Sequence, residues 1–192
     1  MGKIENDLQW VRRGRQKRAV AQMLRRPMTA SEICRFVQPL DPHLQLRDVW
    51  FLMRQFIGRG LVRCLNPDRF TGKVYAWSEY GQRVAAVGFN LAIAPCLEGV
   101  DWQRYALVVR ARLRKLLLLE LLRPLAAKWR TASALRKRLL DKHPVGLNST
   151  LRALKELEHL GLVRSAALRS DPRHKAYQAT FRGRRIGEQM LL

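Results

Sequence analysis

Acidic residues are scarce in this chain of 192 residues, where 15 Asp and Glu stand against 37 Lys and Arg and the formal net charge is +22. Self-repulsion on that scale favours a polyanionic partner. Arginine supplies 28 of the basic residues, and its guanidinium forms bidentate hydrogen bonds with phosphate and with guanine. A GC-rich genome also raises arginine content, but it does not account for the net charge. The charge balance therefore predicts nucleic acid as the partner.

Cysteines and long apolar runs are also few. Cys34, Cys64 and Cys96 are odd in number and far apart, which argues against a disulfide framework and is typical of a reducing cytosol. The first residues lack the apolar core of a signal peptide. The apolar run at residues 116–119 is far shorter than the roughly 20 residues that span a bilayer. We therefore expect a cytoplasmic protein that makes no membrane contact.

Motifs of enzymatic or metal chemistry are missing as well. The four histidines show no metal-ligand spacing, and none pairs with a cysteine at zinc-finger spacing. The acids are scattered, and the chain has neither a phosphate-cradling glycine loop nor a nucleophile elbow. Cys34 lies on an apolar helical face and is interpreted as a core residue. We predict that the protein is not an enzyme and has no catalytic residue, metal or cofactor.

The sequence repeats itself, and the repeat is its most informative property. Five segments recur in one register, at offsets of 101 or 102 residues. The matching pairs are Thr29-Ala30-Ser31 with Thr131-Ala132-Ser133, Asp41-Pro42 with His143-Pro144, Gly60-Leu61-Val62-Arg63 with Gly161-Leu162-Val163-Arg164, Lys73-Val74-Tyr75 with Lys175-Ala176-Tyr177, and Gly81 with Gly183. Upstream, Arg13-Gly14-Arg15 matches Arg110-Ala111-Arg112 at an offset of 97. Five matches in register indicate a duplicated module.

The repeat predicts two domains joined by a linker. We expect a first module over residues 1–85, a linker over residues 86–101 and a second module over residues 102–192. Residues 86–100 of this linker carry a single charge, Glu98, and are apolar enough to pack against their neighbours. Both modules are basic, with net charges of +9 over residues 1–85 and +14 over residues 101–192. A shared role in binding a polyanion follows from this.

Periodicity and capping residues predict the same helices in both copies. Each copy opens with a helix, over residues 4–24 and 102–122. Thr29 and Glu32 have the spacing of a capping box, which begins a short helix; Thr131 keeps the cap but lacks the glutamate. A third helix is predicted over residues 46–58 and, capped by Asn148, over residues 148–160.

The spacing of apolar residues then changes from the period of a helix to that of a strand. Gly60 and Gly161 end the third helices. A strand, a turn and a return strand follow in each copy, and a final helix begins near Glu79 or Arg182. The fold class predicted from this order is mainly α with small β-hairpins, that is, α+β.

Together these segments resemble the winged helix-turn-helix of bacterial and archaeal regulators of the MarR, PadR and ArsR kind. The resemblance rests on residues 29–33, 60–63 and 75–83 in the first copy, and on residues 131–135, 161–164 and 177–185 in the second. It covers nearly all of both copies and implies two winged helix-turn-helix modules in tandem. MarR and PadR proteins normally carry one such module per chain. The duplication also resembles plasmid replication initiators and chromosome-segregation accessory proteins.

The resemblance implies which residues face DNA, because in such modules the helix before Gly-Leu-Val lies in the major groove and the hairpin reaches the backbone. The apolar stripe predicted to face inward is Val49, Leu52, Met53 and Phe56 in one copy, and Leu154, Leu157 and either Leu151 or Thr150 in the other. The expected DNA-contacting residues are Arg47, Trp50 and Arg54 with Ser149, Arg152 and Lys155 on these helices, Arg69, Lys73, Arg169, Arg173, His174 and Lys175 in the hairpins, and Arg13, Arg15, Arg112 and Arg114 in the opening helices.

Other interpretations remain open for some of these residues. Arg47 and Arg54 also fit a solvated helix face, and Trp50 and Phe51 fit core packing, a contact between modules or a contact with a partner. The helix from Leu116 to Leu122 is apolar nearly all round. We therefore expect it to be buried between modules or in a dimer seam, so that a homodimer or a protein partner would use this helix or Trp50.

Three hypotheses of function follow from the sequence. The first is a double-stranded DNA-binding protein of the nucleoid that regulates transcription through two recognition helices. The second is an accessory protein of chromosome segregation or replication, in which one module serves protein assembly. The third is an architectural nucleoid protein with little sequence preference.

Overall fold

The structure is a computed structural model that describes residues 2–123, 129–140, 143–168 and 174–192. The chain divides into two compact units, Met1–Cys96 and Leu97–Leu192. Each unit is mainly helical and contains one small antiparallel sheet, so the chain is α+β.

The first unit has five helices and three short strands among its described residues. Its elements in chain order are α1 (Lys3–Arg12), α2 (Arg15–Met23), β1 (Met28–Thr29), α3 (Ala30–Val37), α4 (Leu46–Gly58), β2 (Val62–Cys64), β3 (Val74–Trp77) and α5 (Glu79–Phe89). Strand β3 is the central strand and pairs with β1 and β2. The register sets Tyr75 opposite both Met28 and Cys64.

The second unit repeats this order. Its elements are α6 (Trp102–Arg110), α7 (Arg112–Leu122), β4 (Arg130–Thr131), α8 (Ala132–Leu140), α9 (Leu147–His159), β5 (Val163–Ala167), β6 (Lys175–Ala179) and α10 (Phe181–Leu191). Strand β6 is central and pairs with β4 and β5. Tyr177 lies opposite both Arg130 and Ser165.

The opening segment of each copy is two helices, so the prediction of a single helix was wrong. The chain becomes extended at Gly14, with φ −112° and ψ 120°, and at Ala111, with φ −106° and ψ 106°. Glycine breaks helices readily, but alanine is the best helix former, so propensity does not explain the second break. In one continuous helix Val108 and Leu117, nine residues apart, would face opposite sides, whereas the break allows both side chains to be fully buried.

Most predicted helix boundaries are confirmed. Thr29 Oγ1 accepts from the Glu32 backbone N–H at 3.2 Å, and the Glu32 carboxylate accepts from the Thr29 N–H at 3.1 Å. Gly60 and Gly161 have φ of 71° and 66°, the left-handed conformation that glycine adopts without strain. The prediction that Asn148 caps the third helix was wrong, since α9 begins at Leu147 after an extended Gly146.

One contact is built in the same way in both units. The Ser78 hydroxyl donates to the Gly60 carbonyl at 2.6 Å and accepts from the Gly81 N–H at 2.9 Å. Thr180 makes the same pair of bonds with Gly161 and Gly183, at 2.8 and 3.2 Å. A Cβ on Gly81 would collide with the carbonyl oxygen of Leu61, and one on Gly183 with that of Leu162. Glycine therefore lets the last helix lie directly on the strand backbone.

A polar cluster ties the helices of the first unit together. Asp7 of α1 is buried, and its carboxylate accepts from Arg59 Nη1 at 2.6 Å and from the Tyr80 hydroxyl at 2.7 Å. Burial, followed by the bond to Asp7, raises the pKa of Tyr80 to about 12. Arg59 also lies over the Trp10 ring, 4.3 Å from its centroid. In the repeat register, Arg104 stands where the first unit has Asp7.

The segment predicted as a linker belongs partly to helix α5, which continues to Phe89. Asn90 then takes a left-handed conformation with φ 49°, and the chain turns back. Leu91 and Ile93 pack against the core of the first unit, and the Ala94 N–H donates to the Arg25 carbonyl at 2.7 Å. Residues 90–94 are thus part of the first unit and pack against its core.

Candidate nucleic-acid interface

Helix α4 has the inward stripe that its sequence predicts. Val49, Leu52, Met53 and Phe56 are all buried. Phe56 meets the Trp77 ring edge-on, with centroids 5.9 Å apart. This packing fixes the rotation of α4 and so decides which side chains face solvent.

The outward face of α4 combines arginine with large apolar side chains. The Arg47 side chain is 79% exposed and its Nε lies 3.7 Å from Asp48 Oδ1, while Arg54 is also exposed. Trp50 and Phe51 are 50% and 62% exposed, so neither belongs to the core of this unit. Ile57, for which no prediction was made from the sequence, is exposed about two turns further along the helix.

Helix α9 presents a more polar face. Thr150, Ala153, Leu154 and Leu157 are buried, so Thr150 takes the inward position and Leu151 faces outward. Three predicted contact residues are exposed on the other side. They are Ser149, Arg152 and Lys155.

A shallow groove of about 360 Å³ lies between α7 and α9 and collects basic side chains. Arg152 and Lys155 line it from α9, and Arg114 lines it from α7. Arg114 is only 20% exposed and lies 3.5 Å from Glu156. Its Nε is buried and has no hydrogen-bond partner among the described residues. Arg114 therefore lies at the bottom of the groove, and its contact with DNA stays a prediction.

The other predicted contact arginines of the opening helices are exposed, and two of them also form contacts within the fold. Arg15 donates to the Leu40 carbonyl at 3.2 Å and lies 4.0 Å from Asp41. Arg112 makes the equivalent contact in the second unit, with Nη2 2.9 Å from His143 Nδ1. Arg13 is exposed at the break between α1 and α2.

The hairpin of the first unit is organised by a buried asparagine. Asn66 Oδ1 accepts from the Val74 N–H at 2.7 Å, and its amide donates to the Gly72 carbonyl at 3.1 Å. Gly72 has a φ of 70°, which closes the loop. Arg69 and Lys73 are half-buried beside it, and Arg69 Nε donates to the Thr71 carbonyl at 3.3 Å.

The tip of this hairpin carries a residue that the sequence analysis missed. Phe70 is 98% exposed. Its position inside a polar turn, between Asp68-Arg69 and Thr71-Gly72, was the available signal. An aromatic side chain held in water at the end of a fixed loop is suited to contact a partner.

The hairpin of the second unit is described at its base. Arg169 and Arg173 lie outside the described residues. His174 and Lys175 are exposed, and Lys175 opens β6 opposite Ala167. The same unit contains a cation–π pair that was not predicted from the sequence: the Arg164 guanidinium is 5.3 Å from the centroid of the Trp129 ring.

The leucine-rich helix α7 packs within its own unit. Leu117, Leu118 and Leu121 are buried, and α7 packs against α6, α9 and α10 of the same unit. A contact of this helix with the other module or with a partner stays a prediction. Leu116, Leu119 and Leu122 remain half-buried, because a helix that is apolar nearly all round cannot face one core with every side chain.

Reactive and metal-binding chemistry is not assembled in the described residues. They contain no group of three or more His, Cys, Asp or Glu that could hold a metal ion. Burial, followed by the charge of Asp48, raises the pKa of the Cys34 thiol, which lies 3.7 Å from the Leu44 carbonyl. A raised pKa lowers the thiolate fraction and with it the reactivity of the thiol.

Compared with known proteins, the chain matches no family model, and no curated protein matches it either. Across the described ranges, every helix is too short or too polar to cross a bilayer.

Proposed function

We propose that each unit is a winged helix-turn-helix module and that the chain binds double-stranded DNA. Helices α4 and α9 would enter the major groove, and the hairpins would lie along the flanking backbone. The observation that carries the proposal is the exposed basic face of both helices, opposite a buried stripe. Arg47 and Arg54 lie on one helix, and Arg152 and Lys155 on the other.

The distribution of charge supports a nucleic-acid partner. The second unit gathers basic residues from α7 and α9 in one groove, and Lys175 adds another at its hairpin. Phosphate contacts of this kind supply most of the sequence-independent affinity of a DNA-binding protein. Arg152 and Lys155 have the chemistry to contact guanine O6 and N7.

A role in transcriptional regulation follows from the unlike faces of the two helices. Different side chains recognise different base edges, so a chain with two unlike helices has the means to select one site among many. Association with the nucleoid is part of the same proposal.

A competition assay tests the proposal directly. The full chain binds a labelled duplex selected from a random pool, and unlabelled selected or bulk DNA competes for it. A regulator requires the selected duplex to compete at least about a thousandfold better. Loss of that ratio in Arg152→Ala, but not in Lys137→Ala on an exposed position of α8, assigns it to α9. Equal competition by both DNAs would favour the architectural protein.

A second candidate function is favoured by the exposed apolar side chains of α4. Trp50, Phe51 and Ile57 are more typical of a protein contact than of a DNA-facing helix. The first unit would then serve assembly, as in a segregation or replication complex. A Phe51→Ser variant that keeps full DNA affinity but loses a concentration-dependent increase in sedimentation would support this function over DNA contact by α4.

A further inference from the structure

An apolar pocket of about 330 Å³ opens on the second unit where α7, α8 and α10 end. Five leucines line it, including Leu119 and Leu122 of α7 and Leu191 of α10. Leu191 is 68% exposed. A pocket of this size is large enough to hold two or three side chains. None of the DNA-contact residues proposed above lines it.

The first unit shows what covers this position. In the repeat register, Leu122 corresponds to Arg25 at an offset of 97, and Leu191 corresponds to Phe89 at an offset of 102. Beside Arg25 and Phe89, the first unit holds its own extended segment. Leu91 and Ile93 pack on the core, and the Ala94 N–H donates to the Arg25 carbonyl.

We propose that the pocket of the second unit is a docking site for an extended apolar segment of a partner protein. The segment would take the place that residues 91–94 occupy in the first unit. It would insert two apolar side chains spaced like Leu91 and Ile93, and its backbone would donate to the Leu122 carbonyl.

A buried carboxylate supports the docking of a hydrogen-bonding segment. Glu120 lines the pocket with a side chain that is 9% exposed, and its Oε1 lies 3.3 Å from Arg123 Nη2. Its Oε2 is buried and has no hydrogen-bond partner among the described residues. A buried acceptor without a donor is costly, and a backbone or side-chain N–H of the docked segment would satisfy it.

The rim of the pocket indicates the charge of the partner. Arg123, Arg138 and His143 line it together with Glu120, so positive charge is in excess. A segment with acidic residues on either side of its apolar pair would complement this rim.

The probe for the experiment is a labelled peptide that copies residues 90–95, Asn-Leu-Ala-Ile-Ala-Pro, either alone or with one aspartate added at each end. The full chain is titrated and binding is followed by fluorescence anisotropy. We expect saturable binding that is severalfold tighter for the acidic peptide at low salt. A peptide with aspartate in place of both Leu91 and Ile93 should not bind.

Leu191→Asp should weaken peptide binding at least tenfold without loss of the folded state, because the side chain is largely exposed. Phe181→Asp is the matched control, since it changes an exposed apolar residue of the same helix α10 that does not line the pocket. Both variants should keep the wild-type melting temperature and wild-type duplex affinity, so this test does not depend on the proposed function.

Two results would overturn the proposal. One is the absence of saturable peptide binding to the wild-type chain, or equal binding to Leu191→Asp. The other is a concentration-dependent dimer in sedimentation that Leu191→Asp abolishes, because the occupant would then be a second copy of this chain.

Discussion

The two units share the contact between their last helix and the backbone just before the strand, and they differ in the side chains that are exposed on α4 and α9. Ser78 with Gly81 and Thr180 with Gly183 make the same hydrogen bonds. On α4 and α9, by contrast, Trp50 corresponds to Leu151 and Phe51 to Arg152 at an offset of 101. Contacts with the backbone leave no room for change, whereas an exposed face is free to take a new partner. The two units therefore share one scaffold and differ in the side chains that α4 and α9 expose.

The largest expected effect concerns what both units share, their positive charge. If the chain neutralises six or more phosphates, its affinity for duplex DNA should fall by about a thousandfold or more between 50 and 200 mM salt. Fluorescence anisotropy at several salt concentrations measures this slope. A variant that replaces Arg69 and Lys73, the proposed phosphate contacts of the first hairpin, should reduce the slope. A nearly flat salt response would contradict the electrostatic basis of the proposed function.

The glycine contact should be equally sensitive in both units. Gly81→Ala and Gly183→Ala should each lower the free energy of unfolding by about 3 kcal/mol, since the new Cβ displaces a helix from the strand backbone. Chemical denaturation followed by circular dichroism provides the measurement. Gly58→Ala is the control, because its Cβ would meet nothing within 4 Å. If one of the two variants unfolds like wild type, the units do not share this contact.

Substitutions on the helix faces should change sequence preference, whereas substitutions in the hairpins should change only the overall affinity for DNA. Arg47→Ala or Arg152→Ala should relax sequence preference by roughly 1–3 kcal/mol if each side chain contacts a guanine edge. Arg69→Ala and Lys73→Ala should weaken binding to all sequences alike, because phosphate contacts carry no sequence information. Affinities on selected and random duplexes separate these outcomes. Equal losses for all four variants would favour an architectural protein.

The smallest effect is expected at the hairpin tip. Phe70→Ala should cost about 1 kcal/mol of duplex affinity if the ring stacks on or wedges between bases, and it should leave the free energy of unfolding unchanged because the ring is exposed. Phe36→Ala, on an exposed position of α3, should change duplex affinity less. If both variants bind alike, the tip makes no base contact.

Local sequence signals predicted much of the fold. The Thr29–Glu32 capping box, the left-handed Gly60 and Gly161, and the buried stripe of α4 all follow from rules that act within a few residues. The burial of Thr150 in place of Leu151 settled an alternative that the pattern left open.

Features that depend on distant contacts were not predicted. The break at Ala111 allows Val108 and Leu117, which would face opposite sides of one continuous helix, to be buried together, and no local signal at Ala111 predicts it. Strands β1 and β4 have two residues each, too few to show an alternating pattern. The exposure of Phe70 and the packing of residues 91–94 beside Arg25 depend on the paths of loops. The periodicity of the sequence does not predict those paths.

The proposed function requires one chain to carry two unlike DNA-binding modules. The decisive experiment selects bound duplexes from a random pool with the full chain and then measures the mass of the complex on the selected site. We expect one chain on an asymmetric site with two different halves, and Arg47→Ala and Arg152→Ala should relax different halves. A regulator that dimerises about a two-fold axis instead requires a palindrome. Selection of a perfect palindrome by two chains, with one variant affecting both halves and the other neither, would show that one chain does not use both modules on DNA.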